Sequence, residues 1–175
     1  GDTGYLEQMA KGWGFAAPVV EPVRLAGQRI SSSAVRELLA AAKIEEANRM
    51  LGRDYSITGV VVEGDRVGTE LGFPTINVET GNSLLPEGVF KTRVETAGQT
   101  YDSITYIGFR PTFSGKEKKV ESHIFDFHRE IYGQAVKIYF AKKLRDDVKF
   151  DSKSSLIRQI KKDIENLKVD KGPIF

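Results

Sequence analysis

Apolar positions change their period near Gly52. Upstream they recur at helical spacing among alanines; downstream, β-branched and aromatic residues alternate with polar ones between glycine turns. Tyr5 to Lys11 reads as a short helix and Val19 to Leu25 as a strand. Ser33 to Leu39 and Glu45 to Leu51 read as two more helices, the second closed by Gly52 in the left-handed conformation. A parallel sheet needs several crossover units of about 30 residues each, so residues 1–52 are too few for an independent α/β layer. They have the character of the tail end of a larger α/β domain, and a domain boundary is placed between residues 52 and 53.

Beyond that boundary, strands are predicted over Tyr55–Glu63, Thr75–Val78, Gly88–Thr96, Tyr101–Phe109, Lys119–Phe127 and Ala135–Ala141. Gly64-Asp65, Ala97-Gly98 and Tyr132-Gly133 supply turns. Six short strands with no helix between them indicate an antiparallel barrel or sandwich. A helix follows from Ser152 to Lys168, with Leu156, Ile157, Ile160, Ile164 and Leu167 along one stripe. Asp151 or Ser152 caps it and Phe150 staples its start, so it is expected to pack on the β-structure.

Composition narrows the chemistry. The chain has 175 residues, 40% hydrophobic and 29% charged, enough for one full domain and part of a second. No apolar run approaches a membrane span of ~20 residues, and the start lacks a secretory pattern, so a soluble cytoplasmic protein is expected. The absence of cysteine removes disulfides, thiolate nucleophiles and cysteine-based zinc sites, and two histidines make a multi-histidine metal site implausible. Catalysis must then rest on carboxylates, hydroxyls, backbone amides and a bound metal. The net charge of +2 gives no argument for nucleic acid.

Gly72-Phe73-Pro74-Thr75-Ile76-Asn77 is the segment richest in chemistry. In a strand, Thr75 and Asn77 share a face, and their hydroxyl and carboxamide oxygens suit Mg²⁺, which keeps phosphate oxygens and water in its other positions. A solvated strand face is the competing account of the same spacing. Gly64 and Gly68 permit positive φ and close backbone approach, so the loop between them is a candidate cover for phosphates, or an ordinary hairpin turn. Arg110, placed on a loop leaving a strand, and Arg145 are candidates to clamp phosphate or stack on a ring, with surface salt bridges as the alternative.

Several motifs stand in a fixed order: Gly64-x-x-x-Gly68, Leu71-Gly72-Phe73-Pro74-Thr75-x-Asn77, Leu85-Pro86-x-Gly88-Val89-Phe90 and Ile107-Gly108-x-Arg110-Pro111-Thr112-Phe113. Val120-Glu121-Ser122-His123-Ile124-x-Asp126-Phe127, Tyr132-Gly133 and Leu144-Arg145 follow. From about Arg53 to Lys168 this order resembles the riboflavin kinase family. The resemblance implies a mainly β fold, a six-stranded antiparallel Greek-key barrel with a C-terminal helix, preceded by an α/β remnant of a nucleotidyltransferase domain. Ile30-Ser31-Ser32-Ser33-x-x-Arg36 resembles the second phosphate-binding signature of the FMN adenylyltransferase module, although helix capping also explains those serines. That module's first signature, with its paired histidines, has no counterpart here.

The same resemblance implies roles. Gly64 to Thr69 would form the ATP-covering flap; the family usually carries a basic residue where this chain has Thr69, which leaves Arg66 to supply the charge or nucleotide affinity to fall. Pro74 stiffens the approach to Thr75, and Thr75 and Asn77 would bind Mg²⁺ with ATP phosphates. Glu121 would be the general base that takes the proton of an attacking alcohol. His123 is read as a structural or hydrogen-bonding residue, and His128 has no motif. Phe109, Phe113, Phe125, Tyr132 and Tyr139 are available as a flavin wall. The expected activity is phosphorylation of riboflavin to FMN with Mg-ATP, with riboflavin, FMN, ATP and ADP as partners and neither nucleic acid nor membrane. A non-catalytic flavin or nucleotide-binding module and an RNA-binding barrel are the alternatives.

Overall fold

The computed structural model describes residues 3–112 and 115–169, without the side chains of residues 110–112, 115–117 and 168–169. Two compact units are present, Gly1–Ser32 and Ser33–Phe175. The first holds helix α1 (Thr3–Trp13) and a hairpin of two-residue strands, β1 (Arg24–Leu25) and β2 (Gln28–Arg29). The strand expected over Val19–Leu25 is thus confined to its last two residues. Pro18 and Pro22 lack the N–H a ladder needs, and Ala26 and Gly27, with φ of 48° and 82°, turn the chain back at once.

The second unit opens with α2, whose helix spans Ser32–Ala40, and α3 (Ile44–Leu51). Gly52 closes α3 at φ 67°, a left-handed cap. Strands β3 (Tyr55–Val62), β4 (Ile76–Glu79), β5 (Gly88–Thr96), β6 (Gln99–Thr112), β7 (Gly115–Ile124) and β8 (Ala135–Arg145) follow, and α5 (Lys153–Val169) ends the description. The six strands close in the order β3-β4-β7-β6-β5-β8, all pairs antiparallel. β5, β6 and β7 run as consecutive hairpins and β7 returns beside β4, a Greek key.

Alternation fills the barrel. Ile57, Val61, Phe90, Val94, Ile107, Val120, Ile138 and Phe140 form its buried core, with Phe90 edge-on to Phe140 at 5.4 Å. Polar groups on the same inward face satisfy one another: Thr92 bonds Ser103 and Thr105 at 2.8 and 2.7 Å, and Thr105 bonds Ser122 at 2.9 Å. Leu39, Ala42, Ile44 and Ala47 of the α2–α3 region share this core. Asn48 fastens α3 to the barrel, donating to the Phe140 carbonyl at 2.7 Å and accepting from the Tyr55 amide at 2.8 Å.

Outward-facing residues build a second, smaller core under α5. Val89, Ile104 and Leu167 are buried there with Tyr106, Phe125 and Leu144 packed around them. Ser152 caps α5, its Oγ accepting from the Ser155 amide at 3.2 Å. The link from β3 to β4 is no tight hairpin at Gly64-Asp65; it contains a one-turn helix, α4 (Val67–Glu70), entered by Arg66 at φ 55°.

Candidate active site

Strand register builds the first wall. Asn77 on β4 lies opposite Glu121 on β7, and Glu121 lies opposite Tyr106 on β6. Directly opposed residues of an antiparallel pair point to one face. Ser122, the next residue along, is fully buried inside, so Glu121 and His123 face outward with Tyr106 and Asn77.

The α4 loop lies over that wall. Neither Gly64 nor Gly68 has a positive φ, contrary to expectation; close approach is what requires them. A Cβ on Gly64 would overlap the Asn77 carboxamide, and one on Gly68 would stand 2.9 Å from Thr75 Oγ1 and 2.5 Å from the Phe73 carbonyl oxygen. Both glycines of the loop therefore rest on the two oxygen donors singled out in the sequence. Phe73 closes the loop by donating its amide to the Gly68 carbonyl at 2.8 Å. Lys119 reaches from β7 to Asp65 at 3.4 Å.

The opposite wall comes from α5 and the segment before it. Arg145 at the end of β8 donates Nε to Asp163 Oδ2 at 2.8 Å and Nη1 to the Asp146 carbonyl at 3.1 Å, while its guanidinium lies 5.6 Å from the Phe150 ring centre. Asp163 is only 5% exposed and takes a second bond from Gln159 at 2.7 Å. Tyr106 donates its hydroxyl to Asp147 Oδ2 at 3.0 Å. A hydrogen bond from Lys143, reinforced by its charge, holds the exposed Asp146 carboxyl below the usual aspartate range. Between the walls lies a cavity of about 290 Å³, near the lower end of ligand clefts. Val67, Leu71, Val89, Ile104, Leu156 and Ile160 make it apolar; Thr75, Glu121, His123, Arg145, Asp147 and Asp163 supply its polar groups.

Gly68, Thr75, Glu121 and Arg145 all line this cavity, and Gly64 and Asn77 adjoin it through the contacts above. Arg66 and Thr69 are exposed on the loop and take no part in the lining. Thr75 precedes the first strand residue, Ile76. Arg110 is not on a loop: its backbone continues β6, paired with Glu117, because β7 extends far enough to partner it. The Arg110 side chain and Phe113 lie outside the description. Of the aromatics available as a flavin wall, Phe109 and Tyr132 are partly exposed, Tyr139 bonds Glu95 and Phe125 packs on His123, and none of these four lines the cavity; among the described residues Phe73, Tyr106 and Phe150 do. Asp163, Tyr106 and Asp147 escaped the sequence reading. Asp163 alone left a signal, an acid on the apolar stripe three residues after Ile160.

A family model described as riboflavin kinase matches residues 51–169. The chain belongs to the riboflavin kinase family. It is 37% identical over 170 residues to the bifunctional riboflavin kinase/FMN adenylyltransferase of Haemophilus influenzae, covering 96% of this chain and 55% of that one. With the protein of the same description from Bacillus subtilis it shares 39% over 150 residues, 83% of this chain and 48% of the relative. The chain spans about half the length of the curated relatives it matches. A crystal structure described as a macrolide-efflux protein from Streptococcus pneumoniae superposes with a TM-score of 0.84 at 33% identity, covering 91% of this chain and 53% of that one. Among the described residues no helix is long and apolar enough to cross a membrane.

Proposed function

We propose that this chain transfers the γ-phosphoryl group of ATP to the 5′-hydroxyl of riboflavin, releasing FMN and ADP. The observation that carries the assignment is the cross-strand pairing of Asn77 with Glu121 under the α4 loop. A carboxylate able to take a proton thus stands beside oxygens able to hold a nucleotide's metal, on the wall of an apolar cleft that suits a flavin ring.

The donor set fits Mg²⁺. Among the described residues no cluster of three or more His, Cys, Asp or Glu could hold a metal by itself. Thr75 and Asn77 offer two neutral oxygens, which matches an ion that completes its shell with phosphate oxygens and water. When bound, the ion would neutralise charge on the β- and γ-phosphates. The chain's own residues do the rest. Loop residues Gly64 to Gly68 cover the phosphates against Thr75 and Asn77. Phe73, Tyr106 and Phe150 offer flat surfaces to the ring, and Arg145 lines the same cleft. The Glu121 carboxylate accepts the 5′-hydroxyl proton as that oxygen bonds the γ-phosphorus and the bond to the β-γ bridging oxygen breaks. Consumption of ATP fits a cytoplasmic setting.

Residues 1–52 we assign to the end of an adenylyltransferase-like module. The family model begins at residue 51, whereas the similarity to the bifunctional Haemophilus influenzae relative covers nearly the whole chain. The test is chromatography after incubating the 175-residue chain with riboflavin and Mg-ATP. FMN without FAD is expected, since the paired histidines of adenylyl transfer have no counterpart before His123. No FMN above the enzyme-free blank would leave only a binding module.

A further inference from the structure

His123 lines the cavity but has no part in the chemistry assigned above. Its position relative to Thr75 is set by the β4–β7 ladder, which pairs Asn77 with Glu121 and Ile76 with Ser122. Continued one step, that register would set Thr75 opposite His123, but β4 begins only at Ile76. Pro74 has no N–H with which to extend a ladder upstream. A side chain takes over there: Nδ1 of His123 lies 2.7 Å from the Pro74 carbonyl oxygen. A carbonyl only accepts, so Nδ1 carries the hydrogen and donates it.

That carbonyl belongs to the planar peptide unit that ends in the Thr75 nitrogen. A bond to it fixes the plane from which the Thr75 side chain departs. Gly68 lies close over the same stretch: any Cβ there would meet the Phe73 carbonyl oxygen and Thr75 Oγ1. The imidazole is itself held, edge-on to Phe73 at 5.9 Å and to Phe125 at 5.5 Å. We infer that His123 is a positioning residue for the nucleotide seat: its Nδ1–H holds the Pro74–Thr75 peptide so that the Thr75 hydroxyl is presented alongside Asn77. The inference rests on the proposed role of Thr75 and Asn77.

The test uses the full 175-residue chain and Mg-ADP as the probe, titrated calorimetrically. Asparagine places an N–H near the Nδ1 position, whereas glutamine reaches towards Nε2. His123→Gln and His123→Ala should weaken Mg-ADP binding by about 3- to 10-fold, the worth of one hydrogen bond. His123→Asn should restore Mg-ADP binding. Parental Mg-ADP affinity in His123→Gln, or no rescue by asparagine, would overturn the inference. A readout needing no variant is the imidazole ¹⁵N spectrum of the parent, which should show Nδ1 as a protonated nitrogen; an unprotonated Nδ1 overturns it equally. Thr75→Ala in the same titration separates the two readings. Should it bind Mg-ADP as the parent does, the seat itself is misassigned and the inference falls with it; should it lose affinity while His123→Gln does not, only the inference falls.

Discussion

The Thr75 hydroxyl lies beneath Gly68 and the Asn77 carboxamide beneath Gly64, and that close approach turns a strand-face pattern into a candidate seat. Thr75→Ala and Asn77→Ala should each raise the Mg²⁺ concentration needed for half-maximal FMN formation, because each removes one oxygen donor. Steady-state rates across a Mg²⁺ titration measure this; curves unchanged in both variants would return the pair to a solvated strand face. These residues were legible in the sequence because alternation fixes which side chains share a face. Gly64 and Gly68 were legible as close-approach positions, but not the identity of what they approach. Arg145 was left open between phosphate clamp and salt bridge, and its partner Asp163 lies in a helix that sequence spacing alone could not dock against it.

At the level of elements, α5 is fastened to the end of β8 by the Arg145–Asp163 pair, both members largely shielded from water. Asp163→Ala strands the guanidinium and should cost about 2–3 kcal/mol of unfolding free energy in urea titrations. A loss under about 1 kcal/mol would mean that the pair is solvated as a surface pair is. A second link joins β3 to the loop before β5, where Tyr55 donates its hydroxyl to the Leu84 carbonyl at 2.5 Å. Burial raises the Tyr55 phenol above its ordinary value of 10.0. The unfolded tyrosine ionises first, so this contribution is full below pH 10 and is lost as pH rises through the folded value. Tyr55→Phe should cost about 1 kcal/mol near neutrality and flatten the alkaline decline in stability; an unaltered decline would assign it to other groups. Most strands were legible from alternation and turn residues, among them Gly88–Thr96, which matches β5 residue for residue. Val19–Leu25 misled because β-branched residues between two prolines show strand propensity without the N–H groups or partner that a strand requires.

The whole molecule adds what periodicity leaves open. Alternation separates the two faces of a strand but does not say which strands are neighbours; the family resemblance implied a Greek-key barrel, and the structure supplies the order that closes it through β3 and β8 and returns β7 beside β4. That order sets Tyr106, Glu121 and Asn77 side by side, and α5 then covers the outer face rather than the barrel's interior. We propose that this outer face performs phosphoryl transfer with Glu121 as base. Single-turnover formation of FMN from riboflavin and Mg-ATP, comparing Glu121→Gln with the parent, tests it most directly. The variant's rate should be lower by ~10²–10⁴-fold, about 3–5 kcal/mol of barrier, with riboflavin affinity retained. FMN formation at the parental rate in Glu121→Gln would contradict it.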